Sequence, residues 1–234
     1  MSAAKLPPAN AAVPFERVAA TVCQLSHEVR NGYNAMELQA AYVAELLRDP
    51  GDVADAAGEV KRLRGMIADN ANSLRRLSAR FHVPPPNPIR YPANLFTEDF
   101  RARLAKTLPD FAPQVAWTQD LAGEAVSIDV EMILAALGEI FQNAAHFQEF
   151  GHRVSAHAAA KAGRFEIELH EHHAALPVPP ATWGREPLVS TRPGGYGLGI
   201  FHARRLLAAH GGGLEFAYAP ATSQLTTRVF LPLA

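Results

Sequence analysis

The sequence predicts an α+β protein, a helical hairpin followed by helices layered on a mixed or antiparallel sheet. Three observations predict it. Apolar residues recur every three or four positions in two long runs. The first holds Phe15, Val18, Val22, Leu25, Val29, Tyr33, Met36, Ala40, Val43 and Leu47; the second holds Ala56, Val60, Leu63, Ile67, Ala71, Leu74, Leu77 and Phe81. That spacing is one buried face of a helix. Pro84-Pro85-Pro86-Asn87-Pro88 then forbids further helix. Beyond it, short alternating stretches interleave with helical ones, the pattern of a sheet with helices on one face.

Taken in order, residues 1–14 hold prolines, one lysine and no apolar core, and read as a flexible arm rather than a signal peptide. Asp49-Pro50-Gly51-Asp52 breaks the first helix and offers a cap for the second, making a hairpin over 15–83. One stripe on each arm leaves the far sides uncovered. Pairing with a second copy into a four-helix bundle buries both and is preferred; packing on the rest of the chain is the alternative. Residues 84–92 read as a linker and 93–234 as a second domain. Within that domain Asn94–Lys106 reads as helix, Val115–Trp117 and Ala125–Ile128 as short strands, and Asp129–Phe147 as an apolar-striped helix. Val154–Ala160 and Phe165–Leu169 alternate as two antiparallel strands. Gly197–His210 reads as helix, and Leu214–Tyr218 with Leu225–Leu231 as a closing hairpin.

Bulk properties narrow the function. At 234 residues with a net charge of −1 and a pI near 6.8, no basic field points to nucleic acid. The single cysteine, Cys23, excludes an internal disulfide framework and suits a reducing cytoplasm. No stretch approaches the roughly 20 apolar residues of a membrane span. A cytoplasmic protein is expected.

Two places carry chemistry. His27 lies two residues past Leu25 and two before Val29, so it points off the stripe toward solvent, with Glu28 beside it to accept a proton or hold a tautomer. Asn31, one turn on, shares its face. By spacing alone an ordinary surface histidine is the favoured reading. The glycines at 194, 195, 197 and 199 precede a helix, so backbone amides and the helix N-terminus can approach phosphate oxygens, with Arg192 adding charge.

Read together, these segments resemble the sensor histidine kinases of two-component systems. Ser26-His27-Glu28-Val29-Arg30-Asn31 resembles the H-box, with Gly32 where proline is usual. Glu139-Ile140-Phe141-Gln142-Asn143-Ala144-Ala145-His146 resembles the N-box, with Glu139 where a first asparagine is common and His146 where lysine is frequent. Arg185 to Gly199 resembles the F-box, ATP lid and G2-box. The resemblance implies a dimerisation and phospho-acceptor hairpin joined to a GHKL-type ATP-binding domain. It implies His27 as the phosphorylated residue, Glu28 as adjacent base and Asn31 as an assistant in hydrolysing a partner's aspartyl phosphate. Asn143 would hold Mg²⁺, and His146, Arg192, Gly195, Gly197, Leu198 and Gly199 would surround ATP. The G1-box departs most: Glu171 replaces the aspartate that contacts adenine, while His173 and Ala175 replace both glycines.

The leading expectation is therefore a homodimeric protein-histidine kinase that takes a phosphoryl group from Mg-ATP onto His27 and passes it to a response-regulator receiver domain. Its input would come from a separate sensor or input protein, or from the N-terminal arm. The altered G1-box motivates the alternative, a histidine phosphotransferase or response-regulator phosphatase with a degenerate nucleotide-binding domain; a dimeric adaptor without chemistry is the third. His170 and His172 share a strand face as metal ligands do, but no further ligand pair is recognisable nearby in sequence, so a metal cluster is disfavoured. Trp117 and Trp183 read as core and lid packing, and Arg204 and Arg205 as a solvated helix face.

Overall fold

The two apolar stripes build two long helices. In the computed structural model, which describes residues 13–48, 53–192 and 194–234, α1 runs over Phe15–Leu46 and α2 over Val53–Ala79. The Asp49–Asp52 turn, most of the N-terminal arm and Pro193 lie outside the described residues. The chain divides into a hairpin unit that ends at His82 and a second unit containing Val83–Ala234.

In the hairpin, Val43, Ala56 and Leu77 are buried, and Gln39 Nε2 donates to Glu59 Oε2 at 2.6 Å from one arm to the other. Gly32 allows close approach: a Cβ there would lie 2.1 Å from Asn70 Nδ2. Only part of each stripe is covered. Val18, Val22, Tyr33, Val60, Ile67 and Leu74 remain exposed.

In the second unit, the end of the expected linker is structured. Ile89–Pro92 forms β1 and pairs antiparallel with β3, Ala125–Ile128. Tyr91 Oη donates to Asp99 Oδ2 at 2.6 Å, fixing β1 to α3 (Ala93–Thr107). β2 (Val115–Asp120), β4 (Val154–Lys161), β5 (Arg164–His172), β6 (Gly213–Ala219) and β7 (Gln224–Pro232) form a five-stranded sheet ordered β2-β4-β5-β7-β6. It is mixed: β2 and β4 are parallel, and the other pairs are antiparallel.

Strand alternation decides which face is covered. On β5, Phe165, Ile167, Leu169 and Glu171 are buried while Glu166, Glu168, His170 and His172 are partly exposed. The buried face carries α3, α4 (Val130–Phe147) and α5 (Gly199–Ala209). α3 buries Ala93, Phe96, Thr97, Phe100 and Leu104, a helical repeat. Phe96 meets Phe165 edge-on at 6.1 Å, Phe100 meets Phe141 at 4.9 Å, and Trp117 stacks on Phe141 at 5.7 Å. Burying one such phenylalanine contributes about 1.5–3 kcal/mol. Asp129 caps α4, its Oδ1 accepting from the Met132 amide at 3.3 Å. The fold is α+β as expected.

Candidate functional site

On α1, His27, Glu28 and Asn31 are all exposed. His27 and Asn31 are four residues apart and share a face; His27 and Glu28, as neighbours, do not. Glu28 Oε1 accepts from Gln24 Nε2 at 3.1 Å, one turn back. The carboxylate is thus engaged along the helix.

In the second unit, α4 places Glu139, Asn143 and His146 along one side, one turn apart each. Glu139 and Asn143 are partly buried and His146 is exposed, its ring 4.8 Å from that of Phe147. Across from them the glycine-rich turn enters α5, whose N-terminus has no side-chain cap. Glu139 reaches this point: a Cβ on Gly199 would stand 2.6 Å from its Oε2. A carboxylate and a carboxamide one turn apart on α4, the carboxylate beside the helix N-terminus and a tight glycine turn, make a donor set suited to Mg²⁺ and phosphate oxygens. The residues therefore fit a Mg-nucleotide at its phosphate end.

The turn itself is close-packed. Gly197 sits at φ +64°, where a Cβ would lie 2.4 Å from the Val189 backbone, and a Cβ on Gly195 would lie 2.6 Å from Ser190 Oγ. Ser190 Oγ also accepts from the Arg192 amide at 3.0 Å, leaving the Arg192 side chain exposed. Leu198 is fully buried.

The base end is different. Glu171 and His173, both on the buried face, are 7% and 6% exposed, and His173 Nε2 lies 3.5 Å from Glu171 Oε1. His173 is held in place: its amide donates to Ser223 O at 2.8 Å and its carbonyl accepts from Tyr218 Oη at 2.7 Å. The carboxylate expected to accept from adenine thus already faces an imidazole of the same chain.

Other sequence expectations are corrected here. Arg204 is not a solvated face. Its guanidinium donates from Nε to Trp183 O at 2.7 Å and from Nη1 to Leu214 O at 2.5 Å, and burial pushes its pKa down to about 10, still charged at neutral pH. Arg205 lies partly buried with its guanidinium 5.7 Å from the Phe201 ring. Trp183 packs edge-on to Phe216 at 5.2 Å, in keeping with lid packing. The histidines also gain partners from distant sequence. Glu149 Oε2 is 2.8 Å from His172 Nδ1, and the His152 ring stacks on that of His172 at 3.6 Å. His170 does not join them; its Nδ1 pairs with Thr226 Oγ1 at 3.1 Å. Nothing in local spacing marks Glu149 or His152, since the loop after α4 and the end of β5 meet only in the folded sheet.

No protein-family model and no curated protein matches the chain. Solved structures do. The chain is similar to the Acinetobacter baumannii histidine kinase AdeS, with TM-score 0.51 and 12% identity over 88% of this chain and 97% of that one. It is similar to the mycobacterial sensor histidine kinase MprB, with TM-score 0.51 and 18% identity over 63% and 98%. It is also similar to histidine kinase ThkA, solved in complex with response regulator protein TrrA, with TM-score 0.59 and 12% identity over 93% and 62%. The chain has the histidine-kinase fold, including that of the catalytic domain. No described helix is long and apolar enough to cross a membrane.

Proposed function

We propose that this is a two-component protein-histidine kinase, phosphorylated on His27 from Mg-ATP and acting on the receiver domain of a response regulator. The observation that carries this reading is Glu139 beside Gly199 at the start of α5, with Asn143 one turn further along α4. In this reading Asn143, with Glu139 beside it, holds Mg²⁺. The backbone around Gly195, Gly197 and Gly199, with Arg192 and His146 at the rim, holds the phosphates. Bound Mg²⁺ would neutralise the phosphate charge, so the protein contributes positioning. His27, exposed on α1, takes the γ-phosphoryl group as ADP leaves; Glu28 takes its proton; Asn31 serves the return reaction on the regulator. The exposed stripe of the hairpin supports a homodimer, the partition 15–83, 84–92 and 93–234 describes its working parts, and the setting is cytoplasmic. ThkA, captured with a response regulator, supports the choice of partner.

The Glu171–His173 pair favours a second reading, a phosphotransferase or phosphatase that uses His27 or Asn31 on a phosphorylated regulator and does not use ATP. The two separate cleanly. Purified chain is incubated with γ-labelled ATP and Mg²⁺, and in parallel with a labelled regulator, for wild type and His27→Gln. Label from ATP that disappears in His27→Gln is expected. Label only from the regulator establishes the second reading, and no His27-dependent label or dephosphorylation from either source overturns both. His173→Gly, which releases Glu171, is expected to tighten Mg-ATP binding by calorimetry about tenfold, the worth of one freed charged hydrogen bond.

A further inference from the structure

We propose that Glu149, His152 and His172 form a binding site for a divalent transition-metal ion of the zinc type. One ligand atom from each lies within 4.8 Å of the other two. Donors sharing a tetrahedral Zn²⁺ at about 2.0–2.2 Å stand roughly 3.4 Å apart, so the set closes once the His152 ring turns. His172 Nδ1 and Glu149 Oε2 are already at 2.8 Å.

Two elements set this geometry. The loop from α4 to β4 makes a turn in which the His152 amide donates to Glu149 O at 3.3 Å, with Gly151 at φ +84°. This brings Glu149 and His152 to one side. β5 delivers His172 as its last residue, and the β4–β5 register sets that strand end beside the turn. The second oxygen of Glu149 accepts from the Ala174 amide at 2.8 Å, the outer hydrogen bond that orients a carboxylate ligand.

The donor chemistry selects the ion class. Two imidazoles and one carboxylate suit Zn²⁺, Ni²⁺ or Cu²⁺, whereas Mg²⁺ and Ca²⁺ seek oxygen sets. Three protein donors leave a position open to solvent, on the side where His152 is exposed. In the present arrangement the imidazoles of His152 and His172 are parallel, 3° apart. One ion cannot lie in both ring planes, so binding turns the exposed His152 ring edge-on. The site is separate from the nucleotide pocket, because His172 points to the opposite face of β5 from Glu171.

The test uses the full chain after dialysis against chelator. Zn²⁺ is titrated in competition with a chromogenic chelator, and Co²⁺ absorption serves as a spectroscopic check. One equivalent is expected to bind, raising the melting temperature. His152→Ala and His172→Asn are each expected to weaken binding at least about tenfold and to remove the Co²⁺ band. His157→Ala, on the same sheet away from the cluster, is expected to change nothing. His152 lies in an exposed turn, so its variant keeps the fold and decides the matter even if His172→Asn unfolds. Unchanged Zn²⁺ affinity in His152→Ala, or no stoichiometric binding by wild type, overturns the site; either result is independent of whether His27 is phosphorylated.

Discussion

At the scale of single residues, the second unit depends on a few side chains whose surroundings allow no substitute. Gly197 combines φ +64° with a Cβ position 2.4 Å from the Val189 backbone. Gly197→Ala is therefore expected to destabilise the unit by about 1–3 kcal/mol, measured as a fall in denaturation midpoint, and to weaken Mg-ATP binding because the turn must shift. Arg204 satisfies two carbonyls, Trp183 O in the lid segment and Leu214 O at the start of β6. Arg204→Met keeps the bulk but leaves both acceptors without this donor. A loss of about 1–3 kcal/mol is expected, with faster amide exchange around Trp183. A stability unchanged within about 0.5 kcal/mol would mean that water replaces the guanidinium.

At the scale of elements, the outer face of the sheet is a charge ladder. Arg228 on β7 reaches Glu168 on β5 at 2.6 Å, Glu215 on β6 at 3.5 Å and Glu166 at 3.8 Å. Burial alone would raise the Glu168 pKa, but the hydrogen bond and charge of Arg228 outweigh it and hold it below the ordinary 4.5. A carboxylate whose pKa is lowered in the folded state stabilises it at all pH above the unfolded value, and that contribution disappears as pH falls through the folded value. Melting temperature is therefore expected to be flat in this respect near neutrality and to drop below about pH 4.5. Glu168→Gln should lower the neutral-pH plateau slightly and reduce the acid slope. A slope identical to wild type would assign the acid sensitivity to other carboxylates.

At the scale of the whole molecule, the hairpin leaves Val22, Val60 and Ile67 at 55%, 41% and 50% exposure, more apolar surface in line than a lone hairpin keeps comfortably in water. As proposed, a second copy covers it in a four-helix bundle. Sedimentation equilibrium should give a dimer for the wild type. Val22→Glu combined with Ile67→Glu should shift it to monomer while leaving the mixed sheet of the second unit folded. A monomeric wild type at tens of micromolar would remove the bundle and turn attention to other cover for the stripe.

Much of this architecture is written locally in the chain. Three-to-four spacing marks α1, α2 and α4, alternation marks β4 and β5, and Pro84 to Pro88 marks the end of the hairpin, because periodicity follows from backbone geometry and needs no distant partner. The exposure of His27 and the glycines before α5 are legible for the same reason. What the sequence does not contain is the meeting of segments far apart in it. The parallel pairing of β2 with β4, the occupation of Glu171 by His173, the burial of Arg204 under two carbonyls and the approach of Glu149 and His152 to His172 all depend on strand register and loop path. Spacing can say that His172 points outward from a strand; only the folded sheet decides which side chains meet it, since a one-residue change of register would present a different set.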